Sequence, residues 1–198
     1  TGATPASPAP TQPADVRPVT APGVPPGTPA VETQRENFRT IQVSTPLYQI
    51  AISEKGAAVM SLELNKYKAT NLPDSPLKQL VHEKLTGGVL TFGLEGQSIA
   101  GLKDAVYTAQ VAADETTVSE GSKTIEFTWT TGQGYVVKKT FTFMADSYLI
   151  DCDITIENHT TGALNDAIVI SIPGYYDEET KTRSRFAGGT ILRMVGRI

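Results

Sequence analysis

Few side chains in this sequence have a type and spacing that could do chemistry. Asp151 and Asp153 stand two residues apart, which on a strand sets their backbones about 7 Å apart on one face. That separation suits the carboxyl pair of an inverting glycosidase. Such a pair needs one carboxyl held protonated in an apolar site, whereas this face carries Thr155, Glu157 and a facing Lys138. A solvated strand face is the better reading. His82 and His159 have only Glu83 and Glu157 near them in sequence, and a metal site or general base needs convergent partners at ligand spacing. They read as surface histidines.

The remaining candidates are weaker. Asp177-Glu178-Glu179 lacks the glycine-bearing alternation of a calcium loop and reads as a solvated loop. Asn158-His159-Thr160 matches the glycosylation sequon, a three-residue signal that means something only on a glycosylating secretory route. Gly87-Gly88 and Gly188-Gly189 have no strand-to-helix transition around them, so they are turns and not phosphate cradles. Cys152 is the one cysteine; a disulfide framework is excluded and a buried thiol is the simplest reading. The expectation is a protein with no catalytic, cofactor-binding or metal-ligating residue.

The elements that would carry these residues are strands. In Tyr148 to Glu157 the even positions Tyr148, Ile150, Cys152, Ile154 and Ile156 are apolar, and among the odd ones only Leu149 is, a period of two. Tyr135, Val137, Phe141 and Phe143 share the odd face of the preceding segment, and Ile125, Phe127 and Trp129 alternate with threonines and Glu126 before that. Thr131 to Gly134 supply a turn. With Met144 to Ser147 as the loop, the expected register sets Phe143 opposite Tyr148, Phe141 opposite Ile150, Val137 opposite Ile154 and Lys138 opposite Asp153. A slip of one residue would turn both phenylalanines to water and is disfavoured. Lys139 falls on the dry face opposite Cys152, with its stem expected to be covered and its ammonium to reach solvent at an edge.

Earlier strands are expected around Phe38 to Val43, Leu47 to Ser53, Ala58 to Leu64, Lys78 to His82, Val89 to Leu94 and Tyr107 to Ala112, with another over Leu164 to Ile172. Glu54-Lys55-Gly56 makes a tight turn. Ala113 to Ser122 reads as a connection, and no helix is expected. About nine short strands between Gly, Pro, Asn and Asp clusters argue for an all-β, twisted antiparallel sandwich. Residues 1 to 30 hold nine of the thirteen prolines and three valines as their large apolar groups, too little burial to offset ordering. Residues 1–36 are therefore expected to be a disordered Pro/Ala-rich linker and 37–198 the β-domain.

Charge and length bound the rest. Seventeen basic and twenty-one acidic residues give a net charge of -4, so no nucleic-acid surface is expected. No apolar run approaches the ~18 residues of a spanning helix. Starting at Thr1 without methionine or export signal, the chain reads as a processed or excised piece, and its last stretch, from Pro173, as a domain truncated at its C-terminal end.

Two stretches resemble a known family. Thr45 to Leu64 is similar to the opening hairpin of the large periplasmic domain of YidC-type bacterial membrane protein insertases. Gly134 to Tyr148, with Lys139-Thr140-Phe141, Phe143 and Asp146, running on to Asn158, is similar to that domain's central hairpin. Arg185 to Gly188 resembles a later loop. The resemblance implies a β-supersandwich of the galactose-mutarotase type at the periplasmic face of the bacterial inner membrane, tethered by the linker to a preceding membrane helix. It implies an accessory, non-enzymatic interaction surface of an insertase that assists insertion and folding of inner-membrane proteins, with Sec translocon subunits and nascent clients as partners. The alternative from the residues is an exported carbohydrate-active protein, an epimerase or sugar-binding module.

Overall fold

The computed structural model describes residues 1–2, 38–82, 84–175 and 194–197. The linker over 1–36, the acidic triplet at 177–179 and the Gly188-Gly189 turn lie outside those residues, apart from Thr1 and Gly2. A first strand, β1 (Thr40–Ser44), pairs antiparallel with β2 (Tyr48–Ser53), and β2 with β3 (Ala58–Lys68). These follow the expected alternation: Ile41, Val43, Tyr48, Ile50 and Ile52 are all buried. Between β2 and β3 the register breaks. Ala51 faces Ser61 while Ile52 faces Val59, so Met60 is the extra residue of a β-bulge and Val59 takes the inward place that strict alternation assigns to its neighbours.

Strand β4 (Leu77–Gln79) joins β3, and β7 (Glu115–Thr117) joins β1 in parallel, giving a five-stranded sheet ordered β4-β3-β2-β1-β7. The segment 113–122, expected to be a plain connection, thus contains a strand. A second five-stranded sheet is ordered β12-β10-β9-β8-β6, from β6 (Thr108–Ala109), β8 (Ser122–Thr130), β9 (Tyr135–Met144), β10 (Ile150–Asn158) and β12 (Met194–Arg197). Here β12 lies parallel to β10. A two-stranded sheet of β5 (Thr91–Leu94) and β11 (Ile168–Ser171) completes the set. Among the described residues the helical content is a single 3-10 turn, Leu102–Asp104, and no helix is long and apolar enough to cross a membrane.

The inward faces meet in one core in which Ile41, Val43 and Ile52 of the first sheet join Phe127, Val137, Phe141 and Phe143 of the second and Phe92 and Leu94 of the third. Phe127 meets Phe141 edge-on at 5.8 Å between centroids, a favoured arrangement of ring quadrupoles. The protein is an all-β sandwich.

The meander keeps its faces but not the expected register. Phe143 pairs with Ile150, Phe141 with Cys152, Val137 with Ile156 and Lys138 with Thr155, a shift of two residues from the sequence reading. A two-residue slip preserves which side chains point inward, so apolar patterning cannot distinguish the two. Tyr148 and Leu149 consequently leave the strand for a longer loop, and the Tyr148 ring packs against Tyr48 and Tyr67 at 6.5 and 5.8 Å.

Candidate functional site

The carboxylates proposed for glycoside chemistry do not build a cleft. Asp151 lies opposite Thr142 and Asp153 opposite Thr140 across β9, the former half-buried and the latter exposed. Lys138, expected against Asp153, instead pairs with Glu157, and His159 Nε2 lies 3.6 Å from the same carboxylate. The Glu157 carboxyl is drawn down by its hydrogen bond to Lys138, and the lysine is raised by the same contact. His82 occupies a different loop: its ring stacks on Tyr175 at 3.9 Å and its Nδ1 accepts the Lys84 backbone N–H at 3.1 Å. Tyr175 accepts a hydrogen bond from Lys84 Nζ at 2.8 Å. Among the described residues no three His, Cys, Asp or Glu side chains converge as metal ligands would.

The sequon residues are occupied locally. Asn158 Oδ1 accepts from the Thr160 N–H at 2.9 Å and its Nδ2 donates to the Gly162 carbonyl at 2.8 Å, an Asx turn that ends the meander. Cys152 is buried and unpaired. Burial pushes its thiol up to about 11, which makes it a poor nucleophile at neutral pH.

Sequence reasoning missed the most constrained polar group. Lys139 is 1% exposed, so its ammonium does not reach solvent as expected. The two-residue shift aligns it with Ile154 and Phe127, deep between sheets and not at an edge. Its Nζ donates to the Ala57 carbonyl at 2.7 Å, to the Leu90 carbonyl, and to Gly56 at 3.5 Å. Ala57 and Leu90 both have left-handed backbones, with φ of 45° and 62°, unusual for residues with a Cβ. Irregular turns cannot spend their carbonyls on a ladder, and a buried carbonyl must still be satisfied. The ammonium supplies those donors, so one side chain of the second sheet ties down the β2–β3 turn of the first and the entry to β5 in the third. Burial pulls its pKa down to about 8 against a smaller opposing pull from the Cys152 thiol. The available signal was the break in alternation, a lysine in an otherwise apolar row.

Two further polar devices hold loops. Arg39 Nε donates to Asp114 at 2.6 Å and Nη2 to the Val111 carbonyl at 2.8 Å, with Glu54 at 3.5 Å from its Nη1. Glu54 in turn accepts the Ala109 N–H at 2.9 Å, so the edges of the two large sheets share one cluster. Asp166 accepts from the N–H groups of Gly96 at 2.7 Å and Ser98 at 3.1 Å and from the Ser98 hydroxyl at 2.7 Å. These bonds, the Ser98 hydroxyl first, hold its carboxyl down at about 2. A depressed carboxylate stabilises the fold above its unfolded pKa, and that contribution fades as pH falls through the folded value. Asp166→Asn is therefore expected to remove part of the acid-induced loss of stability between pH 4 and 2. The Gly96 and Ser98 amide resonances should titrate near pH 2 in the parent only; titration near 4 would show that the carboxylate is not held.

Across the outer face of the first sheet runs a shallow groove of about 200 Å³ lined by Gln42, Ser44, Gln49, Ser61, Glu63 and Gln79, with Val43, Ile50 and Ala51 between them. These outward positions of β1 to β4 form a polar row poor in charge, which suits contact with a polypeptide backbone better than proton chemistry.

The YidC periplasmic domain family matches residues 40–191. The membrane protein insertase YidC of Pelobacter propionicus is 31% identical over 152 residues, covering 75% of this chain and 27% of that protein. That of Syntrophobacter fumaroxidans is 33% identical over 138 residues (69% and 25%), and that of Citrifermentans bemidjiense 32% over 137 (66% and 24%). The chain spans about a quarter of the length of these relatives. The match runs through the opening hairpin, the Lys139 junction and the meander, and the chain belongs to the YidC periplasmic domain family.

Proposed function

We propose that this chain is the accessory periplasmic domain of a membrane protein insertase, working at the periplasmic face of the inner membrane as a non-catalytic interaction surface. The observation that carries the reading is the family match over residues 40–191, supported by relatives named as membrane protein insertases. In this reading the domain assists insertion and folding of inner-membrane proteins performed elsewhere in the full protein, and its contacts are translocon subunits and emerging clients. Residues 1–36 serve as its Pro-rich tether. The polar groove on the first sheet is the surface best suited to an extended client segment. No observation favours the carbohydrate reading, since Asp151 and Asp153 face threonines on an open strand face.

A chimera tests this. Residues 38–198 replace the matching segment of a YidC insertase in cells depleted of their own, and insertion of a dependent inner-membrane protein is followed by protease protection. The expected result is insertion at the parental level, with photocrosslinks from Gln49 and Gln79 to translocon or client. A chimera that reaches the membrane and inserts normally but crosslinks to neither from any outward position would overturn the interaction role.

A further inference from the structure

The end of the β3–β4 hairpin and the loop beside it carry an apolar surface the fold does not cover. Tyr67 is 54% exposed, Leu72 68% and Leu149 49%, and the Tyr67 and Tyr148 rings meet edge-on. Leu72 is the most exposed of the large hydrophobic side chains in the described residues. It is not held out by slack chain. Ala69 N–H bonds to the Pro76 carbonyl at 2.8 Å, Thr70 N–H to Ser75 Oγ at 2.8 Å, and Ser75 N–H to the Leu72 carbonyl at 3.1 Å, while Lys68 Nζ donates to the Pro73 carbonyl. The turn that carries this exposed leucine is braced.

Its surroundings have a distinct charge. Between Asn65 and Leu80 stand Lys66, Lys68 and Lys78 against one acid, Asp74, with Asp146 in the neighbouring loop, whereas the whole chain carries -4. Lysines, tyrosines and an exposed leucine make the side-chain set that settles at a lipid interface: leucine enters the acyl boundary, tyrosine sits at headgroup depth, and lysine meets anionic headgroups. The place of the groove decides between a bilayer and a protein segment. A bound peptide needs a groove, and the groove described above lies over β1 to β4 and is lined by none of Tyr67, Leu72, Tyr148 and Leu149.

We infer that the β3–β4 tip, with the exposed Tyr67 and Leu72 and the neighbouring Tyr148 and Leu149, on a hairpin that also carries Lys66 and Lys78, is a docking surface for a bilayer bearing anionic headgroups. The contact is weak and reversible, because few apolar side chains enter and each lysine adds only a modest, salt-screened attraction near a charged membrane. It becomes effective when a tether keeps the domain near the membrane. The inference goes beyond the insertase reading, and its test uses vesicles with no translocon or client, so either can fail without the other.

The 198-residue chain is sedimented with phosphatidylglycerol-containing vesicles and with phosphatidylcholine vesicles at low and high salt. Binding is expected to the anionic vesicles and to weaken with salt. Tyr67→Ser with Leu72→Ser, and separately Lys66→Gln with Lys78→Gln, should each reduce it about tenfold with unchanged circular dichroism. Lys68 is left intact because it braces the tip. As a readout independent of those variants, an environment-sensitive fluorophore on Leu72→Cys in a Cys152→Ala background should shift to the blue on anionic vesicles. No sedimentation with either vesicle, equal binding by the variants, or an unshifted fluorophore would overturn the proposal, as would displacement of the vesicles by an apolar peptide, which would assign the tip to a protein client.

Discussion

Replacing Lys139 by alanine is expected to lower the unfolding free energy by about 3 kcal/mol at pH 7. Three effects set that figure. Truncation removes three buried methylenes, about 0.8 kcal/mol each. It leaves the Ala57 and Leu90 carbonyls, both now bonded to Nζ, without a donor at about 1–3 kcal/mol apiece. Against these it removes an ammonium whose burial is unfavourable, and a fall in pKa from 10.5 to about 8 corresponds to roughly 3 kcal/mol. The first two effects outweigh the third.

The pH dependence carries the sign. Lys139 is lowered by folding, so between pH 8 and 10.5 the unfolded chain binds a proton that the native protein does not, and stability rises with pH. Cys152 acts in the opposite sense. Its thiol is raised from 9.0 to about 11, so stability is lost above pH 9. Tyr48, pushed to about 12 by burial even though the backbone of Met144 pulls it slightly the other way, adds to that loss above pH 10. Its hydroxyl is buried without a partner in hydrogen-bonding geometry. The parent should therefore gain roughly 1 kcal/mol between pH 7 and 9 and then level off. Lys139→Ala should show no such gain, so its deficit widens with pH. Urea denaturation at pH 7, 8 and 9 measures this; a deficit constant with pH would mean that the ammonium is not penalised by burial.

The second large effect is expected at Gly88. Its φ is +67°, and a Cβ there would lie 2.7 Å from the Val59 carbonyl oxygen and 2.8 Å from the Met60 sulfur. The sulfur can move, but the carbonyl accepts the Val89 N–H at 2.8 Å while Val59 N–H bonds to the Val89 carbonyl at 3.0 Å. Left-handed strain of about 1–2 kcal/mol adds to a backbone shift of about 1–3 kcal/mol, so Gly88→Ala should cost about 3 kcal/mol. Gly87 is the control. A Cβ there meets nothing within 4 Å, and Gly87→Ala should fall within about 0.5 kcal/mol of the parent. Equal midpoints for the two variants in urea would show that the Val59–Val89 bridge is not a close approach.

These two positions differ in how they present themselves in the sequence. Gly87-Gly88 reads as a turn, and it is one. Nothing in the dipeptide says that only the second glycine is pressed against another strand, because Val59 lies 29 positions away and arrives there through tertiary pairing. Lys139 announces itself as an exception to alternation. The rule that long cations reach water through their stems predicts the wrong destination for it, since an edge and an interior position of a strand look alike until its neighbours are known.

Alternation placed Phe141, Phe143, Ile125 and Phe127 inside, and they are inside, because burying every second side chain of a strand needs no partner to be identified. The same alternation is blind to a slip of two, so the pairing of Phe143 with Ile150 and the release of Tyr148 to Tyr67 were settled by packing. The strand Glu115–Thr117 was invisible for a related reason: it has no apolar face, and it is held through its backbone in parallel with β1. Local residue chemistry determined the β class, the inward faces and the family likeness. Only the folded chain decided register, parallel edges and the fate of the buried ammonium, because these depend on which distant carbonyls and strands come to lie against each residue.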